Sequence, residues 1–168
     1  LRKVTSGGVA DLFAQELIRE GSLCIGVGYD DSKAEAYHYV AHTVKETDGF
    51  RGSKYIQSYS YPAFKELVKD CSKHKYAVFG TPCQIYAVRR FLEKRKLSDS
   101  CILIDMFCHG CPSLNLWRKY QSEIKHEIGK THFDEVDFRS KERGWGGYYI
   151  VAVVDGYKAF ISNPKKDG

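Results

Sequence analysis

The sequence reads as an α/β fold: a mixed sheet flanked by helices, with a C-terminal antiparallel hairpin. Three observations lead there. Apolar residues recur at helical spacing in four separate segments. Short runs rich in Val, Ile, Tyr and Phe alternate with those segments. Near the end, Asp155-Gly156 separates two alternating apolar runs, and Asp-Gly suits the positive φ angles of a two-residue hairpin turn.

In chain order, Val9, Leu12, Phe13 and Leu17 share helical spacing behind Ser6-Gly7-Gly8, with Ser6 or Thr5 as the expected N-cap. Gly21 ends that helix. Leu23 to Tyr29 is a buried strand, and Ala36 to Val44 a second one. A polar loop from Lys45 to Ser60 follows. Pro62 opens the next helix, where a missing N–H costs nothing, and Phe64, Leu67, Val68 and Cys71 lie on its inner face. Tyr76 to Phe79 is a short buried strand that stops at Gly80-Thr81-Pro82-Cys83-Gln84. The third helix turns Ile85, Val88 and Leu92 inward and its basic residues outward. Cys101 to Phe107 is another strand, closed by Cys108-His109-Gly110-Cys111-Pro112-Ser113. Ser113 caps a helix carrying Trp117, Tyr120, Ile124 and Ile128. The strands Val136 to Phe138, Tyr148 to Val154 and Lys158 to Ile161 complete the chain.

Composition narrows the function. At 168 residues and 43% hydrophobic, the chain can bury a core without a disulfide scaffold. The six cysteines are scattered, which fits a reducing cytosol, and the expected location is cytoplasmic. The longest apolar run, Tyr148 to Val154, is too short for a bilayer, and no secretion signal opens the chain. A net charge of +5 is mild. Its one dense cluster, Arg89-Arg90 with Lys94-Arg95-Lys96, is a solvated helix face, so neither nucleic acid nor membrane is expected as a partner. The first residue is Leu1, not Met, which marks a processed product, a fragment or part of something longer.

Several groups could carry chemistry. Gly80–Gln84 and Cys108–Ser113 each join a strand to a helix, where ligands collect in open α/β sheets. Ser6-Gly7-Gly8 precedes the first helix and offers a third nest of amides for an anion. Cys108-x-x-Cys111 has thioredoxin-like spacing, but Thr81-Pro82 precedes it, the reverse of the order thiol–disulfide exchange enzymes use. Cys83, Cys108, Cys111 and His109 could hold zinc, although no second Cys-x-x-Cys accompanies them. Cys24, Cys71 and Cys101 read as inert core thiols. In the loop Gly52 to Ser58, Lys54 can meet a phosphate and Tyr55 can stack on a flat ring. His109 is a candidate proton donor, and Trp145 among three glycines resembles a mobile lid or, equally, a turn.

Four of these motifs, in this order, resemble the beta subunits of deazaflavin (coenzyme F420)-dependent hydrogenases and dehydrogenases and their bacterial relatives. They are Ser6-Gly7-Gly8, Gly52–Tyr55 with Gln57-Ser58, Gly80–Gln84, and Phe107–Gly110 with Pro112-Ser113. Asn163-Pro164 is similar as well. The resemblance implies one flavin-binding-type domain over residues 1–168, a fragment of a longer redox protein. It implies FAD as cofactor, with hydride or electrons passing to a deazaflavin-like substrate or another redox partner. Iron–sulfur clusters would be ligated by flanking segments and not by this one, so no metal ligand is assigned here. By the same resemblance Ser6, Gly7, Gly8, Ser53, Lys54, Tyr55, Gln57, Thr81, Pro82, Gln84 and Gly110 would bind cofactor, with Cys83, Cys108 and His109 closest to the chemistry. Phosphates are expected at Ser6–Gly8 and Lys54, and the isoalloxazine near Thr81–Gln84 and Cys108. Cys111 departs from the pattern, which has a small apolar or hydroxyl residue there. The non-flavin alternatives are a binding module that keeps the fold without cofactor, and a thiolate zinc domain.

Overall fold

The computed structural model describes residues 8–144 and 149–161. Two sheets are built in chain order. The first has five strands: β1 (Leu23–Asp30), β2 (Glu35–Ala41), β3 (Ser58–Tyr59), β4 (Tyr76–Gly80) and β5 (Cys101–Asp105). Their spatial order is β3-β2-β1-β4-β5. β1, β4 and β5 run parallel, while β2 pairs antiparallel with β1 and carries β3 at the edge. The second sheet is antiparallel, β6 (Glu135–Ser140), β7 (Tyr149–Val154) and β8 (Tyr157–Ile161) in that order. The mixed sheet with a C-terminal antiparallel addition therefore matches the sequence reading, and that addition is a separate sheet.

Helices α2 (Tyr61–Asp70) and α3 (Pro82–Arg95) cover one face of the large sheet. Leu67 and Cys71 from α2, and Ile85, Val88 and Leu92 from α3, bury against Ile25, Tyr76 and Val78. Helix α1 (Val9–Arg19) lies on the other face, where Ala14 and Leu17 meet Cys24, Ala77 and Phe79. The inner face of α1 differs from the periodicity reading: Val9, Leu12 and Phe13 are exposed. Ala14 is small enough to sit against the sheet, so the helix turns that side in and leaves its larger apolar residues outside. Val68 of α2 is likewise exposed.

Helix α4 (Leu114–Glu127) bridges the two sheets. Ser113 caps it as expected, its Oγ accepting from the Leu116 amide at 3.2 Å. Trp117 packs on Phe138 and with Ala36 and Ile56, and its Nε1 donates to the Ala34 carbonyl at 3.2 Å. Ile124 joins Phe133, Ala152 and Val154 beneath the small sheet. The Asp155-Gly156 turn has φ of 49° and 78°, the positive pair expected of that dipeptide. β5 ends at Asp105 and not at Phe107: the Met106 amide still reaches the Gly80 carbonyl, but Phe107 is fully exposed. The Lys45–Ser60 loop contains a 3-10 turn at Lys45–Phe50 and the short β3. Among the described residues, no helix is long and apolar enough to cross a membrane.

Candidate functional site

The parallel strands bring Tyr29, Gly80 and Asp105 to one end of the sheet. At that end Thr81 starts α3 in a capping arrangement, its amide donating to Gln84 Oε1 at 2.9 Å. Gln84 Nε2 then donates to Ser58 Oγ at 3.3 Å. Two motifs 26 residues apart are thus in contact. A Cβ on Gly80 would lie 3.2 Å from Gln84 Oε1, a tight contact that would press on this capping side chain. Cys83 is exposed in the first turn of α3, with its Sγ 3.3 Å from Thr81 Oγ1.

Cys108, His109, Gly110 and Cys111 lie beyond the adjacent strand β5, and all four are exposed. Burial, and then the nearby Cys108 and Cys83 thiols, push the Cys111 thiol up. A raised second thiol does not activate such a pair, whose nucleophile would be the first cysteine, Cys108. Nor do the thiols and His109 converge as a zinc cage would. Among the described residues the one set of three ligand-type side chains with atoms within 4.8 Å is His132, Asp134 and Asp155. That set is exposed, and Lys130 already pairs with Asp155 at 2.7 Å.

The second feature is a cavity of about 290 Å³ between the β1–β2 hairpin, the loop 48–54 and β6. Gly28 of β1 lines it, and the missing side chains at Gly26 and Gly28 leave room for the aromatic rings that pack on this strand. A Cβ on Gly28 would lie 3.0 Å from the Tyr39 ring, and one on Gly26 only 2.5 Å from Phe50. Tyr37 and Tyr39 cross over the gap on β2. The loop contributes Lys54, Arg51 and Asp48 to the lining, while the hairpin turn and β6 contribute the carboxylates of Asp31, Glu135 and Asp137. Arg51 is already committed, its Nε on Asp11 at 2.9 Å and its Nη1 on Asp48 at 2.7 Å. Through Asp11 this pair also ties the loop to the first turn of α1.

Lys54 is placed differently. Its ammonium donates to two neutral groups, the carbonyls of Gly49 at 2.6 Å and Arg51 at 2.9 Å. Burial without a compensating carboxylate lowers its pKa to about 8. An ammonium has three donors, so this arrangement uses two. In the same lining, burial raises the Asp31 carboxyl, and the neighbouring Glu135 and Asp30 charges add to that. Asp31 Oδ1 accepts from the Val136 amide at 2.9 Å, which pins β6 against the hairpin turn.

The residues expected from sequence therefore divide. Ser53 and Lys54 line the cavity, while Tyr55 and Gln57 are exposed and do not. Thr81, Pro82, Cys83 and Gln84 sit together at the strand ends beside the Cys108–Gly110 loop. Gly8 is the residue before α1, with a φ of 84°. Ser6, Gly7, Trp145 and Asn163-Pro164 lie outside the described residues. The acidic wall of Asp31, Glu135 and Asp137 was not legible in the sequence. The approach of the Phe50, Tyr37 and Tyr39 rings to β1 did have a signal in Gly26-Val27-Gly28, since alternating glycines in a strand mark a close approach by another group.

Comparison with known proteins gives three findings. The profile describing the C terminus of the coenzyme F420 hydrogenase/dehydrogenase beta subunit matches residues 73–164. The coenzyme F420 hydrogenase subunit beta of Methanococcus voltae is 27% identical over 114 residues, which cover 64% of this chain and 40% of the relative. The fold is similar to a chain of the F420-reducing [NiFe] hydrogenase complex from Methanosarcina barkeri, with a TM-score of 0.66 and 20% identity over 95% of this chain and 55% of that one. The chain thus spans about two-fifths of the length of the curated relative it matches.

Proposed function

Because the chain belongs to the coenzyme F420 hydrogenase/dehydrogenase beta-subunit family, we propose that it is the FAD-holding part of an oxidoreductase. In this reading it works beside a redox partner protein, passing hydride or electrons between the flavin and a deazaflavin or another acceptor. The observation that carries the reading is Lys54: a largely buried ammonium, held by two neutral carbonyls, on the wall of a cavity. A cation placed at such a cost without a carboxylate partner suits an anionic ligand. The cavity volume is just under the ~300–1,000 Å³ of pockets that hold whole ligands, so it suits one portion of a dinucleotide.

The flavin, when bound, supplies the redox chemistry. The protein's part is to bind and orient it. Lys54 and the segment Ser6–Gly8 meet its phosphates. Thr81 to Gln84 and Cys108 would border its ring. His109, next to Cys108, is the side chain assigned to proton transfer there. Iron–sulfur clusters, where the longer protein carries them, belong to segments outside these residues.

The test is a visible spectrum of the anaerobically purified protein with its released cofactor identified. Flavin bands and recovered FAD are expected. A colourless protein that takes up no added FAD would sink the proposal in favour of a binding module of the same fold.

A further inference from the structure

The cavity lining is bipolar. The loop 48–54 contributes Lys54, and the hairpin turn and β6 contribute the carboxylates of Asp31, Glu135 and Asp137. A pyrophosphate alone would face that acidic wall at a cost, since Arg51 is already paired with Asp11 and Asp48. A wholly cationic ligand would face Lys54. The group that satisfies both sides is a sugar phosphate: hydroxyls donate to carboxylates, and the adjoining phosphate accepts from the ammonium. Carboxylates commonly recognise ribose hydroxyls in this way in dinucleotide-binding folds. Tyr37 and Tyr39 also line it, giving apolar flanks for a sugar ring or chain to pack on.

We infer that this cavity takes the polyol-phosphate junction of the dinucleotide, with the sugar hydroxyls on Asp31 and Asp137 and the phosphate on Lys54. The inference rests on the FAD reading above and adds to it an orientation and two specificity residues. Both carboxylates are held for the task. Asp31 Oδ1 accepts from the Val136 amide and Asp137 Oδ1 from the Arg139 amide, each at 2.9 Å, so each carboxylate is oriented while its second oxygen remains an acceptor. Lys54 and Glu135 come from distant segments, and the Asp31–Val136 bond holds β6 in place between them. The polyol is either the ribityl chain or the adenosine ribose, and the two are separable by ligand.

The experiment compares the wild type, Asp31→Asn/Asp137→Asn and Lys54→Met, titrated with lumiflavin, riboflavin and FAD by fluorescence. Asparagine keeps an oxygen for the Val136 and Arg139 amides, and circular dichroism and urea unfolding confirm that each variant folds. The double variant should weaken FAD on the order of 10- to 100-fold, the loss expected for charged hydrogen bonds. It should leave lumiflavin, which has no polyol, unchanged. Riboflavin weakened alongside FAD places the ribityl chain on the wall, and FAD weakened alone places the adenosine ribose there. Lys54→Met should weaken FAD but not riboflavin. Undiminished FAD affinity in the double variant, or an increase from relieved repulsion, overturns the inference while leaving the FAD reading intact. A wild type that binds none of the three overturns both.

Discussion

Replacing Lys54 with methionine should stabilise the ligand-free protein while costing it FAD affinity. Methionine keeps the length and apolar stem of lysine and removes only the charged tip. In the fold the ammonium's pKa falls from 10.5 to about 8. Each tenfold change in proton affinity is worth about 1.4 kcal/mol, so below pH 8 the buried charge costs roughly 3 kcal/mol as an upper bound. Against that, Lys54→Met leaves the Gly49 and Arg51 carbonyls without their donor. They face an open cavity, where water can replace it, at about 1 kcal/mol each. The net expectation at pH 7 is a gain of about 1 kcal/mol. The pH dependence follows from the direction of the shift. Between about pH 8 and pH 10.5 the unfolded chain binds the extra proton, so the wild type gains stability as the pH rises through that window. The variant lacks this rise, and its advantage should shrink and then reverse as the pH nears about 10. Guanidinium unfolding of both proteins at about pH 7 and pH 10 measures the difference. A variant that is less stable at neutral pH, with a pH curve parallel to the wild type, would refute the reasoning and make Lys54 a clamp for its loop.

Two further outcomes test how the core is built. Gly26→Ala would set a Cβ 2.5 Å from the Phe50 ring, which is backed by Tyr39 and Phe79. It should destabilise by ~1–3 kcal/mol in thermal melts, with recovery in the Gly26→Ala/Phe50→Leu double variant; an unperturbed Gly26→Ala melt would show the ring is not confined. His38 is 2% exposed, packs on Phe64, and neither ring nitrogen has a hydrogen-bond partner. Burial lowers its pKa from 6.5 to about 4, so the unfolded chain takes up the proton first on acidification. Stability should therefore fall by up to roughly 3 kcal/mol between pH 6.5 and about pH 4. His38→Leu should flatten that part of the curve, and identical acid sensitivity in both proteins would count against it.

Much of the architecture is local and was therefore readable. Ile85, Val88 and Leu92 are three and four residues apart, and any partner that covers α3 must take that face. Asp155-Gly156 makes its turn because its own backbone tolerates positive φ, whatever surrounds it. Ser113 caps α4 through an atom three residues away. The four motifs of the resemblance are also contiguous stretches, which is why the family was visible in the sequence alone.

Where the reading stopped, the deciding neighbour lay far along the chain. Periodicity grouped Val9, Leu12, Phe13 and Leu17, yet of these the sheet buried only Leu17 and took Ala14 beside it, because close packing selects by shape as well as by apolar character. Lys54 was legible as a cation in a polar loop, but not its lowered pKa, which comes from burial among segments folded over it. The acidic wall is more distant still: Glu135 and Asp137 flank Val136, whose amide binds Asp31, 105 positions earlier. Composition and local pattern determine which elements form and which side chains have suitable chemistry. Which of those side chains meet across a cavity, and what charge it holds, is set by long-range packing, and that only the tertiary structure decided.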